Sequence, residues 1–210
     1  MVTSPFTDRD VEVPTPVPGL GNSHYLDLIR LTPLLERILG RPEIKIGLVD
    51  GPVALDHPDL ATENIREVPG EDPGTCALSS SVVAAAGNQG VVGSSSITRH
   101  PWVIPVAACN REGRPLNQSN LGNSIGRHGV LGPGDNVTSL GSAGEPLTLG
   151  GTSVAAPSVT GTLALLWSEF PRAPACDLLL AVRGARGPRR MALVPPLLDA
   201  WSAHEFMVSR

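Results

Sequence analysis

Short apolar runs closed by Gly, Pro or Asn alternate along this chain with stretches of helical periodicity. Residues 44–49 (Ile-Lys-Ile-Gly-Leu-Val) form one such run, ended by Asp50-Gly51-Pro52. Residues 81–86 form a second, closed by Gly87-Asn88, and 102–108 form a third. A shorter piece at 129–131 leads into the turn Pro133-Gly134. Continuous apolar runs of this length predict strands of a buried, parallel type. Helical spacing appears at 24–39, where Leu26, Ile29, Leu34, Leu35, Ile38 and Leu39 recur. There Thr32-Pro33 predicts an N-cap and first helical residue, and Gly40 a stop, giving helices at 24–30 and 33–39. Residues 152–167 predict a long helix whose start is built from small residues, Ser153, Ala155, Ala156, Ser158 and Gly161. Small side chains let a helix approach a sheet closely, so this helix is expected to be central and buried. Surface helices are expected at 176–183 and 196–206. Strands alternating with helices predict an α/β fold with a mostly parallel sheet.

The expected organisation has three parts: a Pro-rich arm over 1–22, a main domain over 23–170, and a helical extension over 171–210 that packs on the same domain. Pro14, Pro16 and Pro18 in the arm suit an extended conformation. With 41% hydrophobic residues among 210, the chain can bury a sizeable core. Gly (23) and Pro (21) together exceed a fifth of the chain, which favours tight loops and close packing. A net charge of −4 offers nucleic acid no general attraction. The arginines at 183, 186, 189 and 190 read as a solvated loop. Cys76, Cys109 and Cys176 have no metal-type spacing, so no metal or cofactor is expected. No signal-like start and no run of 18 apolar residues is visible, so the expectation is a cytoplasmic chain that does not cross a membrane.

Three positions carry candidate chemistry. Asp50 ends a predicted strand, and in open α/β sheets functional groups gather at the carboxyl ends of strands. A carboxylate there can orient and charge-stabilise a histidine. Asn88 follows another strand, and its amide can donate to a developing oxyanion. Ser153 lies in Gly150-Gly151-Thr152-Ser153 at a helix start, where free backbone N–H groups favour negative charge. Each position also has an ordinary reading: a turn-capping Asp, an Asn in a left-handed turn, and an N-cap Ser.

Taken together, these strings resemble the subtilisin-like serine proteases (subtilases). The resemblance rests on Ile46-Gly47-Leu48-Val49-Asp50-Gly51-Pro52 with His57-Pro58-Asp59-Leu60, on Val83-Ala84-Ala85-Ala86-Gly87-Asn88, and above all on Gly151-Thr152-Ser153-Val154-Ala155-Ala156-Pro157. Asp50-Gly51-Pro52, the stretch from Ala108 to Asn120, and Leu131-Gly132-Pro133-Gly134 look like the branch that includes cyanobactin-maturation proteases. The resemblance implies a three-layer subtilisin-like fold and a serine endopeptidase acting on a peptide or protein by acyl transfer. It gives Asp50 the role of orienting the base, Ser153 that of nucleophile, and Asn88 a place in the oxyanion hole.

One part of the family pattern is missing. Subtilases place a His-Gly-Thr string between the Asp and Asn motifs, and this sequence has none. Only 21 residues separate Leu60 from Val82, and Ser79-Ser80-Ser81 running into Val82 looks like the joint of an internal deletion. His24, His57, His100, His128 and His204 remain, each read as a surface or structural histidine, so no catalytic histidine is identifiable. The expectation is therefore a protease by family that is inactive or crippled in this form. The alternative is a non-catalytic scaffold that binds peptides or proteins.

Overall fold

The computed structural model describes residues 22–48, 81–141, 145–184 and 192–210. Its centre is a parallel sheet of β1 (Val82–Ala85), β2 (Val103–Cys109) and β3 (Val130–Pro133), in the order β1-β2-β3. Val82 pairs with Val103 and Ala85 with Val106; Val106 pairs with Val130 and Cys109 with Pro133. The middle strand is buried at every position. Because side chains alternate across a strand, Ile104, Val106 and Ala108 enter one core with Val130 and the long helix. Ala107 and Cys109 enter a second core on the other face with Leu131 and Ile125. Two covered faces explain why β2 reads as an unbroken apolar run.

Helices cover both faces. On the larger core lies α5 (Thr152–Glu169), with α6 (Ala175–Val182), α7 (Ala200–Val208) and the N-terminal pair α1 (Ser23–Leu28) and α2 (Thr32–Arg37). On the other face lie α3 (Ser96–Arg99) and α4 (Asn123–His128), both against β2. This is the expected α/β architecture of three layers around a parallel sheet. Close approach of α5 is built into β3, since a Cβ on Gly132 would lie 3.0 Å from the Ala155 carbonyl oxygen. Of the small residues at the start of α5, Ala155 and Ser158 serve this approach, Ala155 being fully buried and Ser158 Oγ lying 3.1 Å from a Cβ on Gly132, whereas Ser153 is exposed.

Several expectations need correction. Residues 44–48 form no strand, and Ile46 and Leu48 are exposed. A strand needs a partner for its backbone groups, and among the described residues none pairs with 44–48. For the same reason β1 is only partly buried: its single described partner is β2, and Val82 is exposed. The outer edge of β3 is closed instead, by the Leu131 N–H donating to Pro196 O at 2.7 Å and the Leu198 N–H to Leu131 O at 2.9 Å. Leu31, not Thr32, is the N-cap of α2, and the Thr32 hydroxyl donates to Asp27 Oδ1 at 3.0 Å. Helix α6 is not superficial, because Leu178, Ala181 and Val182 are buried. An antiparallel hairpin of β4 (Val137–Leu140) and β5 (Pro146–Leu149) was not expected at all.

Candidate active site

Parallel strands bring their carboxyl ends to one edge of the sheet, and two of the three candidate residues meet there. Asn88 stands two residues past Ala86, whose N–H donates to Val106 O at 2.9 Å, so it leaves β1 at that edge. Ser153 is an exposed residue in the first turn of α5. Between them sits Thr152, fully buried. Its N–H donates to Asn88 Oδ1 at 2.9 Å, and its Oγ1 accepts the Gly87 N–H at 3.1 Å. This reciprocal pair ties the end of β1 to the start of α5.

The pairing also fixes the Asn88 amide. An Asn has an acceptor end and a donor end. With Oδ1 committed to the Thr152 N–H, the Nδ2 amine is the end left to donate outward. Among the described residues it has no recorded partner, and the side chain is exposed. The first helical N–H groups are similarly free in any helix. Here the Val154 and Ala155 N–H groups both go to Gly151 O, at 3.2 Å each, and no partner is recorded for the Ser153 N–H among the described residues. An anionic oxygen at this edge would meet an Asn amine and a helix N-terminus together.

Glycine makes the turn possible. Gly151 has φ +121°, a backbone that side-chain-bearing residues rarely adopt, and a Cβ there would lie 3.0 Å from both Asn88 Nδ2 and Oδ1. Its N–H donates to Gly134 O at 2.7 Å. A Cβ on Gly134 would lie 2.6 Å from Gly151 O, so the two glycines hold the end of β3 against the entry to α5.

Asn120, for which no role is legible in the sequence, organises the loop carrying Asn88. Its Oδ1 accepts the Gln89 and Val91 N–H groups at 3.0 and 3.1 Å. Its Nδ2 donates to Ala86 O at 3.1 Å and Gln89 Oε1 at 2.6 Å. The available signal was the polar run from Asn117 to Asn120 between two predicted elements, where such side chains bond nearby backbone. A cavity of about 320 Å³ lies beside this loop, lined by Ala86, Val91, Ser94, Ser95, Thr98 and Asn120 among others.

Asp50 and His57 lie outside the described residues. The other four histidines are placed, and none hydrogen-bonds Ser153. His100 precedes β2 and His128 precedes β3, so both stand at the amino edge of the sheet, opposite Asn88. Burial, Arg183 and Arg127 hold the His128 imidazole below its usual pKa. His204 packs on Phe170, at the far end of α5. That is roughly 25 Å from Ser153 at 1.5 Å per helical residue. His24 packs on Tyr25, whose hydroxyl donates to Asp135 O beyond β3. Among the described residues no group of three His, Cys, Asp or Glu could hold a metal ion, and no helix is long and apolar enough to cross a membrane.

A serine at the head of a buried helix, tied through its neighbour to an Asn beyond a parallel strand, is the layout of a subtilisin-like protease domain. The model of the Subtilase family (peptidase S8) matches residues 71–182, and the chain belongs to that family. It is similar to the thermostable alkaline protease of Halalkalibacterium halodurans, 37% identical over 90 residues, covering 43% of this chain and 24% of that protein. Subtilisin amylosacchariticus of Bacillus subtilis subsp. amylosacchariticus is 37% identical over 101 residues, covering 45% and 26%. Among solved structures, the prenylagaramide maturation protease PagA superposes with a TM-score of 0.55 at 26% identity, covering 62% of this chain and 51% of that one. The self-cleaved protease domain of PatA gives a TM-score of 0.55 at 30% identity, covering 60% and 49%. The chain thus spans about a quarter of these curated relatives and about half of these solved domains.

Proposed function

We propose that this chain carries the nucleophile and oxyanion half of a subtilase site and lacks the base that would make it an efficient endopeptidase. In this reading Ser153 is the nucleophile. Asn88 Nδ2 and the Ser153 N–H form the oxyanion hole, and Asp50 is the residue that would orient a histidine. The ligand is a peptide or a protein segment. The division into an arm over 1–22, a peptidase-like domain over 23–170 and a helical extension over 171–210 belongs to the same proposal.

One observation carries the reading: the Thr152 N–H bond to Asn88 Oδ1 at 2.9 Å, which aims the Asn88 amine outward beside an exposed serine. In the chemistry this geometry serves, the serine oxygen attacks a peptide carbonyl and the carbonyl oxygen becomes anionic. Preorganised donors stabilise that charge, one such donor being worth about 10²–10³ in kcat. Attack also requires removal of the hydroxyl proton, and a serine without an adjacent base is a weak nucleophile. In subtilisin itself, loss of the Ser or the His alone lowers kcat about 10⁶-fold, roughly 8 kcal/mol of barrier. No histidine among the described residues hydrogen-bonds Ser153, and the sequence holds no His-Gly-Thr string. The chain is therefore a binder of peptides that turns them over at a crippled rate or not at all.

The test is peptide hydrolysis by the purified chain beside a Ser153→Ala variant, read by mass spectrometry of a mixed peptide library. The expected result is no cleavage above the variant. Cleavage that disappears in Ser153→Ala would overturn the crippled-site reading and establish a working protease.

A further inference from the structure

His204 is buried on the inner side of α7, only 4% exposed, and among the described residues neither Nδ1 nor Nε2 has a hydrogen-bond partner. Its ring stacks on Trp201 at 5.2 Å between centroids and leans on Phe170 at 5.7 Å. A neutral imidazole must carry one N–H, so the ring already buries an unpaired donor. Adding a second proton would place a full charge in a buried site that offers it no hydrogen-bond partner among the described residues, and burying an unpaired charge is far more costly than burying a neutral polar group.

The groups around it are committed elsewhere. Arg37 of α2 pairs with Glu169 at the end of α5 at 3.3 Å. Glu205, on α7 itself, accepts the Trp201 Nε1–H at 3.0 Å. Asp177 of α6 pairs with Arg210, and Asp199 at the head of α7 pairs with Arg30 at 3.1 Å. Glu36 of α2 and Cys176 of α6 are the remaining titratable groups on the helices packed against α7. Burial first, then Arg37, hold the imidazole below its usual pKa, against smaller opposing effects of Glu169 and Glu205.

We propose that His204 is an acid-sensitive latch: in its neutral form it seats α7 against α2, α6 and the end of α5, and on protonation it releases that helix. The sign follows from linkage. The folded state holds the proton less tightly than the unfolded one, so α7 stays docked above the ordinary histidine pKa near 6.5 and loosens as pH falls below it. Each pH unit between the two pKa values shifts the docking equilibrium up to about tenfold.

Amide hydrogen exchange on the full chain at pH 7.5, 6.5 and 5.5, corrected for intrinsic rates, tests this. Protection over 200–208 should fall by up to about fivefold between pH 6.5 and 5.5, while β2 keeps its protection. In His204→Phe, which fills the same space without a titrating group, that fall should vanish. His204→Gln serves the same purpose if the Phe variant does not fold. Equal loss of protection in α7 and β2, no loss at all, or an unchanged loss in the variants would overturn the latch.

Discussion

Two glycines of α5 and its entry make opposite predictions for the same substitution. At Gly151, alanine meets both a backbone and a steric obstacle. The φ of +121° belongs to a region that costs a side-chain-bearing residue about 1–3 kcal/mol. The new Cβ, 3.0 Å from both polar atoms of the Asn88 amide, forces that side chain away from the Thr152 N–H. Losing that hydrogen bond adds about 1 kcal/mol. Gly151→Ala should therefore destabilise the fold by about 2–4 kcal/mol. At Gly161, inside α5, a Cβ would meet no atom of the described residues within 4 Å. A helix-interior Gly costs roughly 0.5–1 kcal/mol relative to Ala, so Gly161→Ala should stabilise by about that amount. Equilibrium urea unfolding followed by circular dichroism reads both. With a slope of about 2 kcal/mol/M, Gly151→Ala should lower the midpoint by about 1–2 M and Gly161→Ala should raise it by a few tenths. A Gly151→Ala midpoint equal to the parent would refute the strained-turn reasoning, and with it the geometry of the Asn88–Thr152 clamp.

Other outcomes follow from single side chains. Asn120→Ala removes a residue that accepts two backbone N–H groups and donates to Ala86 O and Gln89 Oε1; it should cost about 2–3 kcal/mol in urea unfolding and weaken peptide binding measured by calorimetry. Burial pushes the Cys109 thiol up to about 12, whereas Cys176 is exposed. Iodoacetamide at pH 8 should therefore alkylate Cys176 and spare Cys109 until the chain is unfolded, as read by peptide mass mapping. The His128 imidazole should titrate below 6.5 by NMR. Its folded pKa lies below the unfolded value, so its contribution to stability is lost as pH falls below 6.5.

Legibility in the sequence followed how local each signal was. Strand β2 was readable because it is buried at every position, and helix α5 because only Ser153 and Pro157 of its 18 residues are exposed; an element covered in this way writes its length directly as apolar composition. Residues 44–48 carry the same composition, but pairing is a property of two segments, and no partner is described for this one. The hairpin of β4 and β5 escaped because each strand is only four residues long, β5 is exposed at all four positions and β4 is at most half-buried, so neither forms a buried apolar run. The depth of α6 was missed because burial depends on what covers a helix, here α5 and α7. At the site, the Gly-Thr-Ser string pointed to Ser153 and the Gly-Asn turn to Asn88. The bonds joining them through Thr152, and the bracing of the loop by Asn120, span 29 to 65 positions of sequence and belong only to the folded chain.

Labelling of the purified, folded chain with a fluorophosphonate serine probe, beside Ser153→Ala, bears most directly on the proposed loss of the base. The expected result is no labelling of either protein above background. Labelling of Ser153 that vanishes in the alanine variant would contradict it, because an activated serine requires a base within reach.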